Sequence, residues 1–158
     1  MFLRALIAFL VLPGVVAFLM PALIGLRQPF RFSLFGSTVL GVGLLVLLWC
    51  VYAFYVTGKG TLAPWAPPQR LVTVGLYRFS RNPMYIGVLL VLFGWTLLFQ
   101  SAALGWYAAM VALAFHLRVL LGEEPWLART HGAEWHAYER AVPRWLWRLP
   151  LASRRDDA

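Results

Sequence analysis

The segment "RFSRNPMYIG", residues 78–87, sets Arg78, Arg81 and Asn82 directly against Pro83, Met84 and Tyr85 at the mouth of a long apolar run. A charged, hydrogen-bonding cluster at the edge of a membrane helix is costly unless something polar meets it there. A second polar feature lies further on. All six acidic residues, Glu123, Glu124, Glu134, Glu139, Asp156 and Asp157, follow residue 122. An acidic pair at the end of an apolar run, after a stretch with no carboxylate, calls for cationic partners: Arg78, Arg81 or a ligand. A solvated helix end is the plainer alternative.

Composition decides what kind of element holds these residues. Of 158 residues, 61% are hydrophobic and 13% charged, about half the charged share of a soluble domain. A fold this small cannot hide so much Leu, Val, Phe and Trp in its core, so the bilayer is its natural solvent. The net charge of +8 would suggest nucleic acid in a soluble chain. Here the basic residues fall between apolar runs, and membrane topology accounts for them without a nucleic-acid partner. Cys50, the only cysteine, lies inside an apolar run, which leaves neither a disulfide framework nor a cysteine metal site.

The pattern predicts an all-α fold: an integral membrane bundle of about four transmembrane helices with a cytoplasmic amphipathic helical tail, in one domain over residues 1–158. The spans fall at approximately 5–26, 34–56, 84–100 and 102–121, with the tail at 122–150. The first is interrupted by Pro13, Gly14 and Pro21, where a kink is expected. The second ends at "TGKG", residues 57–60. Only Gln100 and Ser101 separate the third from the fourth, which requires a tight hairpin. Counted by side, twelve Lys and Arg residues fall on one face and only Arg27 and Arg31 on the other. That imbalance puts both termini in the cytoplasm, in a membrane such as the bacterial inner membrane. The loop 57–83 and the tail then share one face, where a site can form from both. In the tail, "EEPWLARTHG" reads as a short helix stopping at Gly132 and "AEWHAYERAV" as one stopping before Pro143.

Two segments, residues 68–87 and 118–145, carry a specific combination of motifs: Leu71-Val72, Gly75 and Tyr77, Arg81 to Tyr85, Glu123-Glu124, Gly132, Trp135, Tyr138 and Val142-Pro143. In that order they resemble the membrane methyltransferases of the isoprenylcysteine carboxyl methyltransferase type, with their bacterial and phospholipid-methylating relatives. The resemblance implies S-adenosylmethionine bound on the cytoplasmic side and a lipophilic acceptor, lipid-like or prenylated, arriving from the bilayer. Carried over by position, it places the cofactor at Gln69, Arg70, Leu71, Val72, Tyr77, Asn82, Pro83, Met84, Tyr85 and Glu123, with Arg81, Arg118 and Glu124 as the catalytic set. No metal is implied.

The residue types suit that chemistry. Glu123 can pair with an ammonium group, Tyr77 and Tyr85 offer ring faces to a cation or an adenine, and Leu71 and Val72 supply apolar packing. Pro83 starts a helix where its missing N–H costs nothing, and the amides beyond it can hold a carboxylate. Methyl transfer from a sulfonium is an in-line displacement that needs positioning more than covalent help. A carboxylate acceptor attacks as it is, whereas an amine must be neutral, with Glu124 as its candidate base. Two positions depart from the family. Asn82 replaces a His, keeping a hydrogen bond but carrying no proton. Arg118 precedes Glu123 by five residues, a spacing that on a regular helix rotates it away from the carboxylate.

Other polar residues read more plainly. Arg81 is expected to pair with a tail carboxylate, and Arg78 to mark topology. His116 reads as a packing residue between helices, while His131 and His136 lack metal-ligand spacing. Two competing functions remain at this stage: a membrane reductase or isomerase of related fold, and a non-catalytic membrane scaffold.

Overall fold

The computed structural model describes residues 10–26, 28–53, 56 and 71–145. Every regular element among them is helical. A wide-wound helix, Leu10–Leu19, runs into α1, Met20–Gly25; α2 spans Leu34–Ala53, α3 Pro83–Phe99 and α4 Ala102–Arg118. After a wide turn over Val119–Glu123 come α5, Glu124–His131, and α6, Ala133–Ala141. The expected stop at residues 57–60 lies outside the described residues, as do Gln69 and Arg70.

Proline chemistry explains the first helix. Pro21 offers no N–H to the carbonyls four and five residues before it, which belong to Ala17 and Val16. In an apolar medium such groups need other donors. Trp95 Nε1 donates to Ala17 O at 3.0 Å and Tyr107 Oη to Val16 O at 3.0 Å. Two side chains from α3 and α4 thus fix the first helix against the bundle. Ala17, Leu47, Val88, Val91 and Leu92 form the buried core there.

The pairing of α2 with α3 depends on small residues. A Cβ on Gly43 would sit 2.6 Å from the Val91 amide nitrogen, and one on Gly94 would sit 2.5 Å from Leu40 Cβ. The two backbones therefore approach as closely as membrane helices do through glycine stripes. The α3–α4 hairpin has the tightness its two-residue connection demands. Gln100 takes the left-handed conformation at φ 45° and Ser101 Oγ caps the next helix by accepting from Leu104 N.

α2, 20 residues long with a mean hydropathy of 2.3 over an 18-residue stretch of it, and the continuous helix Ala102–His131 are long and apolar enough to cross a membrane. α3 and the first helix are apolar but shorter. The outer faces of α2 and α4 leave Leu45, Trp49, Trp106 and Met110 exposed, a larger apolar surface than a water-soluble monomer presents. The helix that was expected to end near residue 121 instead continues into the tail. Pro125 would clash with a regular turn behind it. The chain widens there, and Glu124 N–H donates to Val119 O five residues back. At one end of the bundle Arg31 donates to Gln100 Oε1 and to Leu98 O. The polar cluster around Arg81 gathers at the other.

Candidate functional site

The loop between Val72 and Pro83 builds one wall. Gly75, at φ 62°, lets the chain pass where any Cβ would come within 2.9 Å of the Trp49 indole nitrogen. The short 3-10 turn Gly75–Arg78 then buries Tyr77 against Cys50, Val72 and Met84. The Tyr77 hydroxyl shares a hydrogen bond with the Cys50 thiol, and burial pushes its pKa well above the usual phenol range. Its carbonyl accepts from Tyr138 Oη at 2.7 Å, which ties α6 to the turn. Leu71 is half-buried beside Val72, and Arg78 is exposed.

The end of the α4 helix builds the opposite wall. Tyr85 Oη donates a short hydrogen bond to Glu123 Oε1, joining the first turn of α3 to a residue 38 positions later. Arg118 Nε donates to the same oxygen at 2.7 Å. The expectation that Arg118 is rotated away from Glu123 is overturned by the wide turn, in which residues five apart share a face. Every described hydrogen bond and ion pair of Glu123 uses Oε1, which leaves Oε2 open. Phe115 packs on Tyr85 with ring centroids 4.3 Å apart, and Trp145 flanks it at 6.4 Å.

Glu124 points elsewhere. Arg144 grips it at two points, Nε to Oε1 at 2.8 Å and the terminal nitrogen to Oε2 at 2.6 Å. Arg81 adds an ion pair at 2.9 Å, with both side chains about nine-tenths buried. Arg81 reaches Glu139 at 3.3 Å as well and stacks over the Trp135 ring. The tail carboxylate expected for Arg81 is therefore present twice. Hydrogen bonds to Glu124 hold the Arg144 guanidinium above its ordinary pKa. Two guanidiniums and two carboxylates form a nearly neutral clamp, buried at Arg81 and Glu124 and open to solvent at Arg144 and Glu139, the arrangement in which buried charge is tolerable.

The two acids therefore divide the work: Glu123 faces Tyr85 and Arg118 at a half-exposed surface, and Glu124 locks the tail to the loop. Asn82 is buried, and its side-chain amide donates to Arg144 O at 3.1 Å, beside Ser80 Oγ at 3.2 Å. Pro83 opens α3; the first intrahelical donor near it is Ile86 N, to Asn82 O at 3.3 Å, so the amides of Met84 and Tyr85 precede it. Gln69 and Arg70 lie outside the described residues.

Sequence reasoning missed Arg144, which it counted only for topology, and Ser80. The available signal was the run "VPRW": a proline pushes the residue before it out of the helical region, as at Val142, so the helix ends there and the carbonyls that follow are free to accept from another segment. Among the described residues no cluster of His, Cys, Asp and Glu could hold a metal ion.

A family model described as phospholipid methyltransferase matches residues 32–134, which contain α2 to α5 and both walls of the site. No curated protein and no solved structure matches the chain.

Proposed function

The chain belongs to the phospholipid methyltransferase family of membrane methyltransferases, whose activity is methyl transfer to lipid-like substrates, and from that premise we propose that it uses S-adenosylmethionine to methylate a membrane-embedded acceptor at the cytoplasmic face. The observation that carries the proposal is the junction of Tyr85 and Glu123 with Arg118. It brings the two motif segments to one half-exposed place beside an apolar helix.

The donor set fits the cofactor. Glu123 Oε2 can take its ammonium group, and the amides of Met84 and Tyr85 at the start of α3 can take its carboxylate. Leu71, Val72 and Tyr77 supply an apolar wall, with Asn82 and Pro83 fixing the loop and Gln69 and Arg70 continuing the same segment. When bound, S-adenosylmethionine supplies a methyl group activated by an adjacent sulfonium.

Arg118 is the residue placed to meet the acceptor. Its Nε is spent on Glu123 and the guanidinium also interacts with the Tyr85 hydroxyl, yet nearly half of the side chain is exposed, so its outer edge can bind an anionic or polar group of a lipid. Arg81 acts through Glu124: the clamp fixes the first turn of α3 relative to the helix that carries Glu123. Glu124 is buried with both carboxylate oxygens engaged by Arg144 and Arg81, so it is not presented to an acceptor. The whole chain is read as one domain with four spans and both termini cytoplasmic. The described arginines support this, since all but Arg31 gather at the end opposite Gln100.

The test is a calorimetric titration of S-adenosylhomocysteine into the protein in detergent, followed by transfer of a labelled methyl group to a membrane lipid extract. Saturable binding is expected, lost in Glu123→Gln and weakened about tenfold in Tyr85→Phe, the cost of one charge-assisted hydrogen bond. A wild-type protein that fails to bind overturns the proposal.

A further inference from the structure

Residues 143–145 are stitched in place far more firmly than a chain segment after a terminal helix requires. Arg81 N donates to Pro143 O at 2.9 Å. Ser80 Oγ and Asn82 Nδ2 both donate to Arg144 O, and the Arg144 side chain grips Glu124. The residue delivered by this stitching is Trp145. Its Nε1 donates to His116 Nδ1 at 3.2 Å, and its ring flanks Tyr85.

His116 lies in α4 only two residues before Arg118. Trp145 therefore bridges the tail and the apolar helix beside the residue proposed to meet the acceptor. An indole whose N–H is already paired presents only its apolar face to whatever lies next to it, which suits a lipid chain at the membrane boundary. Phe115 is packed tightly on Tyr85 and closes that side. Trp145 stands further off, and it is not among the residues proposed to hold the cofactor.

Resting on the methyl-transfer reading, we propose that Trp145, anchored by His116 and aimed by Arg144, is the acceptor-side wall of the site and determines which lipophilic acceptors reach Tyr85 and Glu123. The bulk of the ring limits the cross-section of an acceptor chain passing α4. The His116 anchor keeps the ring from swinging aside.

The test uses the full chain in nanodiscs, with a total membrane lipid extract as acceptor, a labelled methyl donor, and mass spectrometry of the methylated products. Trp145→Ala should shift the ratio of bulky to slender products by roughly tenfold, the scale on which pocket shape discriminates apolar groups. S-adenosylhomocysteine affinity should stay within about twofold, since no cofactor contact is removed. Trp145→Phe keeps a ring but loses the anchor, and His116→Ala loses the anchor alone; both should shift the profile in the same direction by less. These two variants carry the test if Trp145→Ala does not fold. An unchanged profile in variants that bind S-adenosylhomocysteine overturns this inference alone, as does a loss of more than about tenfold in that affinity in Trp145→Phe or His116→Ala, which would put the ring in the cofactor site. Absence of binding by the wild type removes the methyl-transfer reading and this inference with it.

Discussion

Arg118 and Glu123 meet at 2.7 Å although five residues separate them. On a regular helix a five-residue spacing turns side chains well apart; here the wide turn over Val119–Glu123 restores the shared face. The turn holds one residue more than a regular helix needs at this point, and Gly122, exposed with nothing near its Cβ position, is the least constrained of them.

Deleting Gly122 should therefore place Arg118 four residues before the carboxylate, a spacing at which side chains share a helix face, and still within its reach. Cofactor binding and methyl transfer should remain within about threefold of wild type. Deleting Ala112, in the regular part of α4, rotates everything beyond it by about 100° and should abolish both. Equal loss in the two deletions would show that the wide turn itself is required.

Glu124→Gln should act on stability before chemistry. It leaves Arg81, about nine-tenths buried, without its closest anion, and breaking a buried pair in this way costs about 3 kcal/mol. Thermal unfolding in detergent should show the loss. Exposed Glu134→Gln should show none.

Alkaline pH should loosen the tail. Burial raises the Tyr138 pKa above the ordinary phenol value, with Arg81 opposing, and its neutral hydroxyl donates to Tyr77 O. A raised folded-state value means that the contribution is complete below about pH 10, where an unfolded tyrosine ionises, and is lost as pH climbs through the folded value. The melting temperature should fall above pH 10, and Tyr138→Phe, with one group fewer to titrate, should show a shallower fall.

Gly94→Ala tests the α2–α3 seam. The added methyl would lie 2.5 Å from Leu40 Cβ and 2.7 Å from its Cα, a clash that only helix separation relieves. A loss of about 1–3 kcal/mol is expected from overpacking, read as a lowered melting temperature. Gly41→Ala, which meets nothing within 4 Å, is the matched control.

The apolar runs, the charge asymmetry and the ordered motif residues were legible because each is a one-dimensional property. Hydrophobic length predicts the helices, and residue identity at fixed order marks the family. The positions of α2, the hairpin and the Gly132 stop needed nothing more. The bounds of α4 did not follow, because the effect of Pro125 propagates backwards along the helix and depends on whether the chain continues past it.

By itself, then, the sequence determined that this chain is helical, apolar enough for a bilayer, and equipped with cationic and acidic motifs near the ends of its spans. Only the tertiary structure decided which acid meets which cation. Adjacent side chains on a helix point about 100° apart, so Glu123 and Glu124, indistinguishable as a pair of letters, face different neighbours. One of them lies with Tyr85 and Arg118, and the other disappears between Arg81 and Arg144. That division rests on the winding of one helical turn and on where a distant proline-led segment docks.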